Sequence, residues 1–182
     1  IVRSDDWGET WSPPARLTEG ESWHQAPCNV HYANGCLYLV MEKNSARRVR
    51  GWDVSELAPV LMRGRIGADL TRPENWTFAS ELPFCKAVPD TQLDWIGAPF
   101  FPAMYPEPYT ETPNRSCAPI GWLETNVVQF SDPDHVWHDP TGRTFHLWMR
   151  AHTGATNLAC VAKVVEDAGG AMATMLETAP SG

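Results

Sequence analysis

Residues 4–11, with the sequence SDDWGETW, constrain the fold of this chain more than any other stretch. Gly8 allows the positive φ of a tight turn, and the carboxylate of Asp6 can accept hydrogen bonds from the amides of that turn. Trp11 is large enough to fix the resulting hairpin onto a neighbouring layer. The segment therefore predicts a hairpin turn that is held by its own side chains.

Five positions of this segment carry the pattern Ser-x-Asp-x-Gly-x-Thr-Trp, namely Ser4, Asp6, Gly8, Thr10 and Trp11. The pattern resembles the Asp-box, or BNR repeat, of sialidases and related β-propellers. The resemblance implies an all-β fold of four-stranded antiparallel blades. It also implies that these five residues are structural, because the box lies on the face of a propeller away from the active site.

The composition excludes several classes of protein. The chain has 16 Pro and 13 Gly in 182 residues, which suits many turns and few long helices. Its formal net charge is −8 and no stripe of Lys and Arg stands out, the one basic run being residues 47–50 with three Arg, which argues against nucleic-acid binding. No apolar run is long enough for a membrane span, and the five Cys show no zinc spacing. We expect neither a metal nor a cofactor.

The chain divides into four predicted parts. Residues 1–18 are the tail of a blade with the Asp-box, 23–80 are a blade, 82–123 are an ordered insertion rich in Pro and aromatics, and 124–182 are a truncated blade. Strands are predicted at 26–32, 36–43, 57–66, 134–138, 144–150 and 158–165, and residues 69–77 resemble a blade-closing turn.

An internal repeat supports this division. Residues 29–32 align with 135–138, and residues 38–42 align with 146–150. We predict a partial β-propeller, a fragment of a ring of about five to seven blades. The remaining blades are expected in parts of the protein beyond this sequence.

In a propeller blade, the start of the first strand and the end of the second strand share one face. On that geometry, nine polar or aromatic residues should converge at one mouth. The predicted catalytic residues are Glu42, Asp134, His135 and Glu124, and the predicted substrate-binding residues are Arg150, His152, Trp23, His24 and Lys43.

Such a cluster suits glycan chemistry. Two carboxylates that flank a sugar can act as acid and as base or nucleophile, and Arg or Lys can bind the carboxylate of an acidic sugar. The resemblance implies a secreted or periplasmic, sialidase-like glycoside hydrolase. The Arg-Ile-Pro segment of sialidases is missing, however, since residues 65–67 read Arg-Ile-Gly. The alternatives are a propeller-fold polysaccharide lyase with a His base, or a non-catalytic propeller that binds carbohydrate or protein.

Several of these polar residues also have structural interpretations. Glu42 and Arg150 end apolar strands and can instead form a buried ion pair. Asp139 is predicted to form a turn, and His146 to be a hydrogen-bonded histidine of the core. Asp132 or Asp134 can merely cap a turn.

Overall fold

The computed structural model describes residues 1–20, 22–24, 28–44, 57–83, 121–152 and 157–177, and for 150–152 and 157–159 it describes only the backbone. The strands are β1 (Trp23–His24), β2 (His31–Ala33), β3 (Cys36–Asn44), β4 (Leu57–Arg65), β5 (Trp76–Phe78), β6 (Gly121–Val128), β7 (Thr144–His152), β8 (Asn157–Glu166) and β9 (Met172–Glu177). A single 3-10 turn, Pro73–Asn75, is the only helical element among these described residues. The predicted all-β class with antiparallel four-stranded sheets is confirmed.

The first sheet is an antiparallel meander whose first strand is interrupted. Both β1 and β2 pair with β3, β3 pairs with β4, and β4 pairs with β5. Because β4 pairs with β3 along its whole length, β1 and β2 must share the opposite edge of β3. Together they form one discontinuous strand at that edge.

The second sheet is a simple meander in the order β6, β7, β8 and β9. Its first strand contains an irregularity, because the register with β7 shifts between Leu123 and Asn126. Glu124 lies at this bulge with a φ of 58°, in the left-handed region. A bulge of this kind changes the direction of the neighbouring side chains.

The two sheets pack face to face around a shared core. Alternate residues of β3 are buried toward the second sheet, as the period of two in a strand requires. Tyr38 is fully buried there, with its ring centroid 4.2 Å from that of Phe145. In the side-chain amide of Asn29, Oδ1 accepts from the Val127 N–H at 2.8 Å and Nδ2 donates to the Val127 carbonyl at 2.8 Å. The first strands of the two sheets therefore lie side by side.

Antiparallel pairing places the chain reversals at two ends of this structure. One end, here the Asp-turn end, carries the β2–β3 hairpin, the β4–β5 turn, the β6–β7 loop and the β8–β9 turn. The Asp-box loop also lies there, because it borders a cavity together with Asp69 and Thr71 of the β4–β5 turn. The other end carries the start of β1 and the ends of β3 and β7. We call it the Glu42 end.

The structure confirms some predicted strands and corrects others. Strands β3, β4, β7 and β8 agree with their predicted bounds within two residues. The predicted strand 134–138 is wrong, because these residues belong to the β6–β7 loop. The first strand of the second sheet is instead β6, which begins two residues before the predicted end of the insertion at 123. Three successive polar residues, 124–126, interrupt the apolar pattern of β6 and hide it in the sequence.

The alignment of residues 29–32 with 135–138 fails for the same reason. In the structure, the neighbour of Asn29 in the second sheet is Val127. Residues 84–120 of the predicted insertion and 26–27 of the first predicted strand lie outside the described residues. No helix among the described ranges is long and apolar enough to cross a membrane.

Candidate functional site

The Asp-box residues form a hydrogen-bonded turn. The Asp6 carboxylate accepts from the Thr10 N–H at 2.9 Å, from the Thr10 hydroxyl at 2.5 Å and from the Ser4 hydroxyl at 2.8 Å. Ser4 Oγ also accepts from the Gly8 N–H at 2.7 Å, and Gly8 has a φ of 90°. These bonds, led by those from Thr10, lower the pKa of Asp6 to about 2.

Trp11 differs from its predicted role as an anchor on a neighbouring layer. Its side chain is 61% exposed, and its indole N–H donates to the Gly8 carbonyl of its own loop at 3.1 Å. Within the described residues, Trp11 therefore closes the turn itself. The corresponding Trp76, the first residue of β5, is buried, and its indole N–H donates in the same way to the Leu70 carbonyl at 2.9 Å.

Four further aspartates hold turns at the same end, and one of them, Asp132, accepts from the Asp134 N–H at 3.0 Å. Asp69 accepts from Thr71, Asp139 accepts from Thr141, Arg143 and Thr144, and Asp167 accepts from Ala171. Hydrogen bonds from Thr141 are the main cause that lowers the pKa of Asp139 to about 2. The prediction of Asp139 as a turn residue is confirmed.

At the Glu42 end, a buried carboxylate joins three segments. The side chain of Glu42 is 2% exposed. Its Oε1 accepts from the Thr125 N–H at 3.2 Å and from the Thr125 hydroxyl at 3.1 Å, across the interface between the sheets. Its Oε2 lies 2.8 Å from Nδ1 of His24, whose side chain is 52% exposed. Glu42 therefore holds an accessible imidazole in place from the core.

Glu124 precedes Thr125 at the bulge of β6 and is exposed. Its positive φ is unusual for a residue other than Gly, Asn or Asp, and such strain concentrates at functional sites. The bulge turns both the N–H and the hydroxyl of Thr125 toward Glu42. An exposed carboxylate is thus adjacent in sequence to the group that anchors the buried one.

Trp23 and Lys43 lie on the opposite face of the first sheet from Glu42 and His24. The register pairs Trp23 with Lys43 and His24 with Glu42, and adjacent residues of a strand point to opposite faces. Nζ of Lys43 lies 2.5 Å from Oε1 of Glu81 and 5.7 Å from the centroid of the Trp23 ring. The two residues border a separate cavity of about 230 Å³.

Asp134 and His135 are at the Asp-turn end, so the prediction that they share a mouth with Glu42 is wrong. Both lie in the loop that follows β6, whereas the prediction placed them at the start of a strand. The His135 ring stacks on Phe130 at 4.0 Å, and its Nδ1 accepts from the Trp137 N–H. His135 therefore contributes to the order of the loop.

Arg150 and His152 are at the Glu42 end as predicted. Their backbones pair with Leu123 and Gly121 of β6, next to the bulge. Their side chains lie outside the description, so the predicted roles in substrate binding and the alternative ion pair with Glu42 stay predictions.

His146 is buried, but it lies beneath the β6–β7 loop on the outer face of the second sheet and not in the predicted core, and no described residue hydrogen bonds to it. It is 1% exposed, and neither ring nitrogen has a partner there. Its ring stacks on Trp137 at 4.9 Å and meets Phe130 edge-on at 5.0 Å. Burial is the main cause that lowers its pKa, with smaller effects of Glu177, Lys163 and His135.

Sequence reasoning missed Thr125 and the role of Asn29. Both act through partners far away in the chain, and no local motif identifies them. The three successive polar residues 124–126 within an apolar strand were the available signal. Within the described ranges, no group of three or more His, Cys, Asp or Glu is arranged to hold a metal ion.

Comparison of the chain with protein-family models, curated proteins and solved structures gives no match.

Proposed function

We propose that this chain belongs to a secreted glycan-processing protein in which His24 exchanges a proton with the sugar. The observation that carries the proposal is the pair formed by buried Glu42 and half-exposed His24. Oε2 of Glu42 lies 2.8 Å from Nδ1 of His24. A buried carboxylate that holds an accessible imidazole is the arrangement that general bases of this type require.

The geometry gives the two residues different roles. With Glu42 ionised, Nδ1 of His24 carries the proton that is donated to Oε2, and Nε2 is the nitrogen that takes up a proton from a ligand. Glu42 itself is too buried to reach a sugar carbon. We therefore assign it as a positioning residue and His24 as the catalytic residue.

The reaction that fits best is elimination from an acidic sugar. Nε2 of His24 removes the proton from the carbon beside the sugar carboxylate. The released electron pair forms a C=C bond as the glycosidic C–O bond breaks, and the leaving oxygen is protonated by solvent. Arg150, whose backbone lies beside the bulge, is our proposed partner for the carboxylate, because a guanidinium can bind it through two parallel hydrogen bonds.

A sialidase-like hydrolase is the second candidate, and the exposed carboxylate of Glu124 favours it. Hydrolysis of a glycoside commonly needs two carboxyl groups at the sugar, and Glu124 is an exposed carboxylate at this end, next in the chain to the Thr125 that binds Glu42. The Asp-box resemblance supports the same class. Such a mechanism would use Glu124 directly and His24 as its partner in proton transfer.

We also propose that the two sheets are blades of a propeller. The support is that both are antiparallel meanders, that they pack face to face, and that their first strands lie side by side. The outer face of the second sheet has partly exposed apolar residues, with Trp148 at 37% and Met175 at 41%. A further blade would cover them.

Turnover by the full-length protein on polyuronides, sialosides and neutral glycosides tests the proposal. Elimination predicts that polyuronides yield products with the ultraviolet absorbance of an unsaturated uronate. His24→Gln should lower kcat about 10²- to 10⁴-fold with an unchanged melting temperature. Release of sialic acid or of neutral sugar without that absorbance would favour the hydrolase. Binding without turnover of any of these substrates would show that the protein is a carbohydrate-binding module.

Arg150→Lys tests the role of the guanidinium. Lys retains the charge but loses the two parallel hydrogen bonds, so the affinity for acidic sugars should fall about tenfold while stability stays near normal. Affinities for a uronide and a neutral sugar measure this effect, and the neutral sugar should be unaffected. A large loss of stability with unchanged binding by the folded fraction would instead support an ion pair of Arg150 with Glu42.

A further inference from the structure

The loop between β6 and β7, residues 129–143, packs on the outer face of the second sheet through a cluster of rings. The ring of Trp137 stacks on that of His146 in β7, with the centroids 4.9 Å apart and the planes at 19°. Phe130 meets the same imidazole edge-on at 5.0 Å, and His135 stacks on Phe130 at 4.0 Å. We call these four side chains the ring cluster. It holds the middle of the loop against the sheet.

The two ends of the loop are held by hydrogen bonds outside the ring cluster. At the first end, Nε2 of Gln129 donates to the Gly142 carbonyl at 2.7 Å. At the second end, the Asp139 carboxylate accepts from residues of its own turn. Residues 130–138 lie between these two anchors. They can therefore detach from the sheet while both anchors stay closed.

The surroundings of His146 suit a neutral imidazole. Its side chain is buried, and neither Nδ1 nor Nε2 has a hydrogen-bond partner among the residues that the structure describes. A protonated imidazole has two N–H donors and a charge, and a buried charge without an acceptor is unfavourable. Burial lowers the pKa of His146 for this reason. A proton on His146 therefore favours an arrangement in which the ring reaches water.

His135 also needs to be neutral, for a different reason. Its Nδ1 accepts from the Trp137 N–H at 3.1 Å, so that nitrogen must carry a lone pair. Protonation converts the acceptor into a donor and breaks this bond. His138 differs, because its Nδ1 lies 2.8 Å from the Phe130 carbonyl and donates to it in either charge state. Acid therefore acts against His135 and His146 but not against His138.

The charges that neighbour His146 do not compensate a proton on its ring. Lys163 of β8 is its partner in the register, Glu177 of β9 lies on the same face, and β6 contributes an uncharged residue there. Glu177 is already paired, because its Oε2 lies 2.8 Å from Nζ of Lys163. A proton on His135 adds a like charge nearby. The indole face of Trp137 attracts a cation, but it offers no acceptor in the plane of the imidazole.

We propose that residues 130–138 form an acid-sensitive latch on the outer face of the second sheet. Protonation of His135 and His146 disrupts the ring cluster and releases the segment, while the sheet stays folded. The open form exposes Trp137 and enlarges the apolar surface that begins at Trp148, which is 37% exposed in the closed form. Histidine is suited to such a switch because its ordinary pKa lies within the physiological range.

The latch does not depend on the proposed reaction. The β6–β7 loop is at the Asp-turn end of the sheets, whereas His24 and Glu42 are at the other end. Failure of His24 as a catalytic residue would leave the latch unaffected, and a fixed loop would leave the reaction unaffected.

Hydrogen exchange of the full chain, followed by NMR, tests the latch. The amides of Trp137 and His138 both donate within the loop. Their protection factors should fall at least about tenfold between pH 7.5 and 5.5, because an exposed imidazole with the ordinary pKa of 6.5 favours the open form about tenfold one pH unit below that value. The amides of β7 should keep their protection over the same range.

Three variants make the result specific. His146→Phe keeps a ring that cannot be protonated, and His135→Asn supplies an acceptor for the Trp137 N–H at every pH. Each should reduce the fall in protection, so either variant alone tests the latch, and the double variant should abolish the fall. His138→Asn is the matched control and should leave it intact. Equal protection of the loop at both pH values in the wild-type chain, a full fall in the double variant, or a simultaneous loss of protection in β7 would each overturn the proposal.

Discussion

Asp6 and Asp139 at one end of the paired sheets and Glu42 at the other use their carboxylates in opposite ways. At the Asp-turn end, Asp6 and Asp139 bind amides and hydroxyls two to five residues away in the chain. At the Glu42 end, Glu42 binds His24, 18 residues away, and Thr125, 83 residues away. The aspartates build their own turns, whereas Glu42 links a strand, its neighbour and the second sheet.

This difference separates structure from proposed chemistry. A carboxylate whose partners are local is satisfied as soon as its turn forms, and it lies at the surface with its pKa lowered to about 2 in Asp6 and Asp139. A carboxylate in the core is acceptable only when tertiary structure supplies every partner. Among the residues that the structure describes, only Glu42 couples such burial to an exposed imidazole, so we place the reaction at its end.

The largest expected effect on stability comes from the ion pair that joins the sheets at the Asp-turn end. Arg63 binds Glu166, both are mostly buried, and the Tyr38 hydroxyl donates to Glu166 at 3.0 Å. Glu166→Ala leaves a partly buried guanidinium without its carboxylate. The free energy of unfolding should fall by about 3 kcal/mol, as measured by urea denaturation. Turnover per folded molecule should not change, because this pair is remote from His24.

The exposed pair of Arg72 and Glu74 is the matched control for this variant, with an N···O distance of 3.4 Å. Glu74→Ala should change the free energy of unfolding by less than about 0.5 kcal/mol. Equal effects of the two variants would show that the sheets are not joined through Arg63 and Glu166. A loss of turnover in folded Glu166→Ala would break the separation of the two ends.

At the Glu42 end, Glu42→Ala should affect stability and turnover together. The variant leaves the N–H and hydroxyl of Thr125 without their acceptor, which costs about 1–3 kcal/mol in the free energy of unfolding. It also releases His24, so turnover per folded molecule should fall. Denaturation curves and kinetics on the same samples measure both effects.

Thr125→Val is the companion variant of Glu42→Ala. Because the two residues share an interaction, the double variant should lose less stability than the sum of the single losses. Additive losses would mean that the contact between the sheets contributes nothing. Full turnover in Glu42→Ala would remove the support for His24 as the base.

Asp6→Ala should lower the melting temperature without affecting turnover per folded molecule. The change removes the acceptor of the Thr10 N–H, the Thr10 hydroxyl and the Ser4 hydroxyl. Asp5→Ala, which removes only an exposed contact with Arg3, should have a smaller effect on the melting temperature. Loss of turnover at an unchanged melting temperature would mean that the Asp-box takes part in the reaction.

The smallest expected effect is a pH dependence that originates at His146. Burial lowers its folded pKa below the ordinary value of 6.5, so the unfolded chain binds more protons near that pH. The free energy of unfolding should therefore keep the full contribution of neutral His146 above pH 6.5, and it should decrease as the pH falls below that value. His146→Phe should flatten this part of the profile, measured as urea midpoints between pH 7.5 and 5.5. An unchanged slope in the variant would assign the dependence to other groups.

Acid unfolding of the turns should occur in a separate and lower range. The folded pKa of about 2 for Asp6 and Asp139 lies below the ordinary 3.8, so their contribution is present above about pH 4 and is lost toward pH 2. Asp6→Asn should reduce the slope of stability between pH 4 and 2 without altering the slope near pH 6.

The sequence alone determined the features whose causes lie within a few residues of the chain. The bonds of Ser4, Asp6, Gly8 and Thr10, the turn of Asp139 and the apolar strands β3, β4 and β7 all followed from local pattern. Turn chemistry and the period of two in a strand act over short distances, so the order of residues is sufficient to show them.

Tertiary structure decided which polar residues meet. The bulge of β6 hid the first strand of the second sheet, so Asp134 and His135 were predicted at the wrong end. Strand pairing placed Trp23 and Lys43 on the face opposite to His24 and Glu42. A shift of one residue along a strand moves a side chain to the other face of the sheet. A strand that is missed in the sequence moves the residues after it to the other end of the sheets. Only the packing of the two sheets brought Thr125 to Glu42, and this contact defines the candidate site.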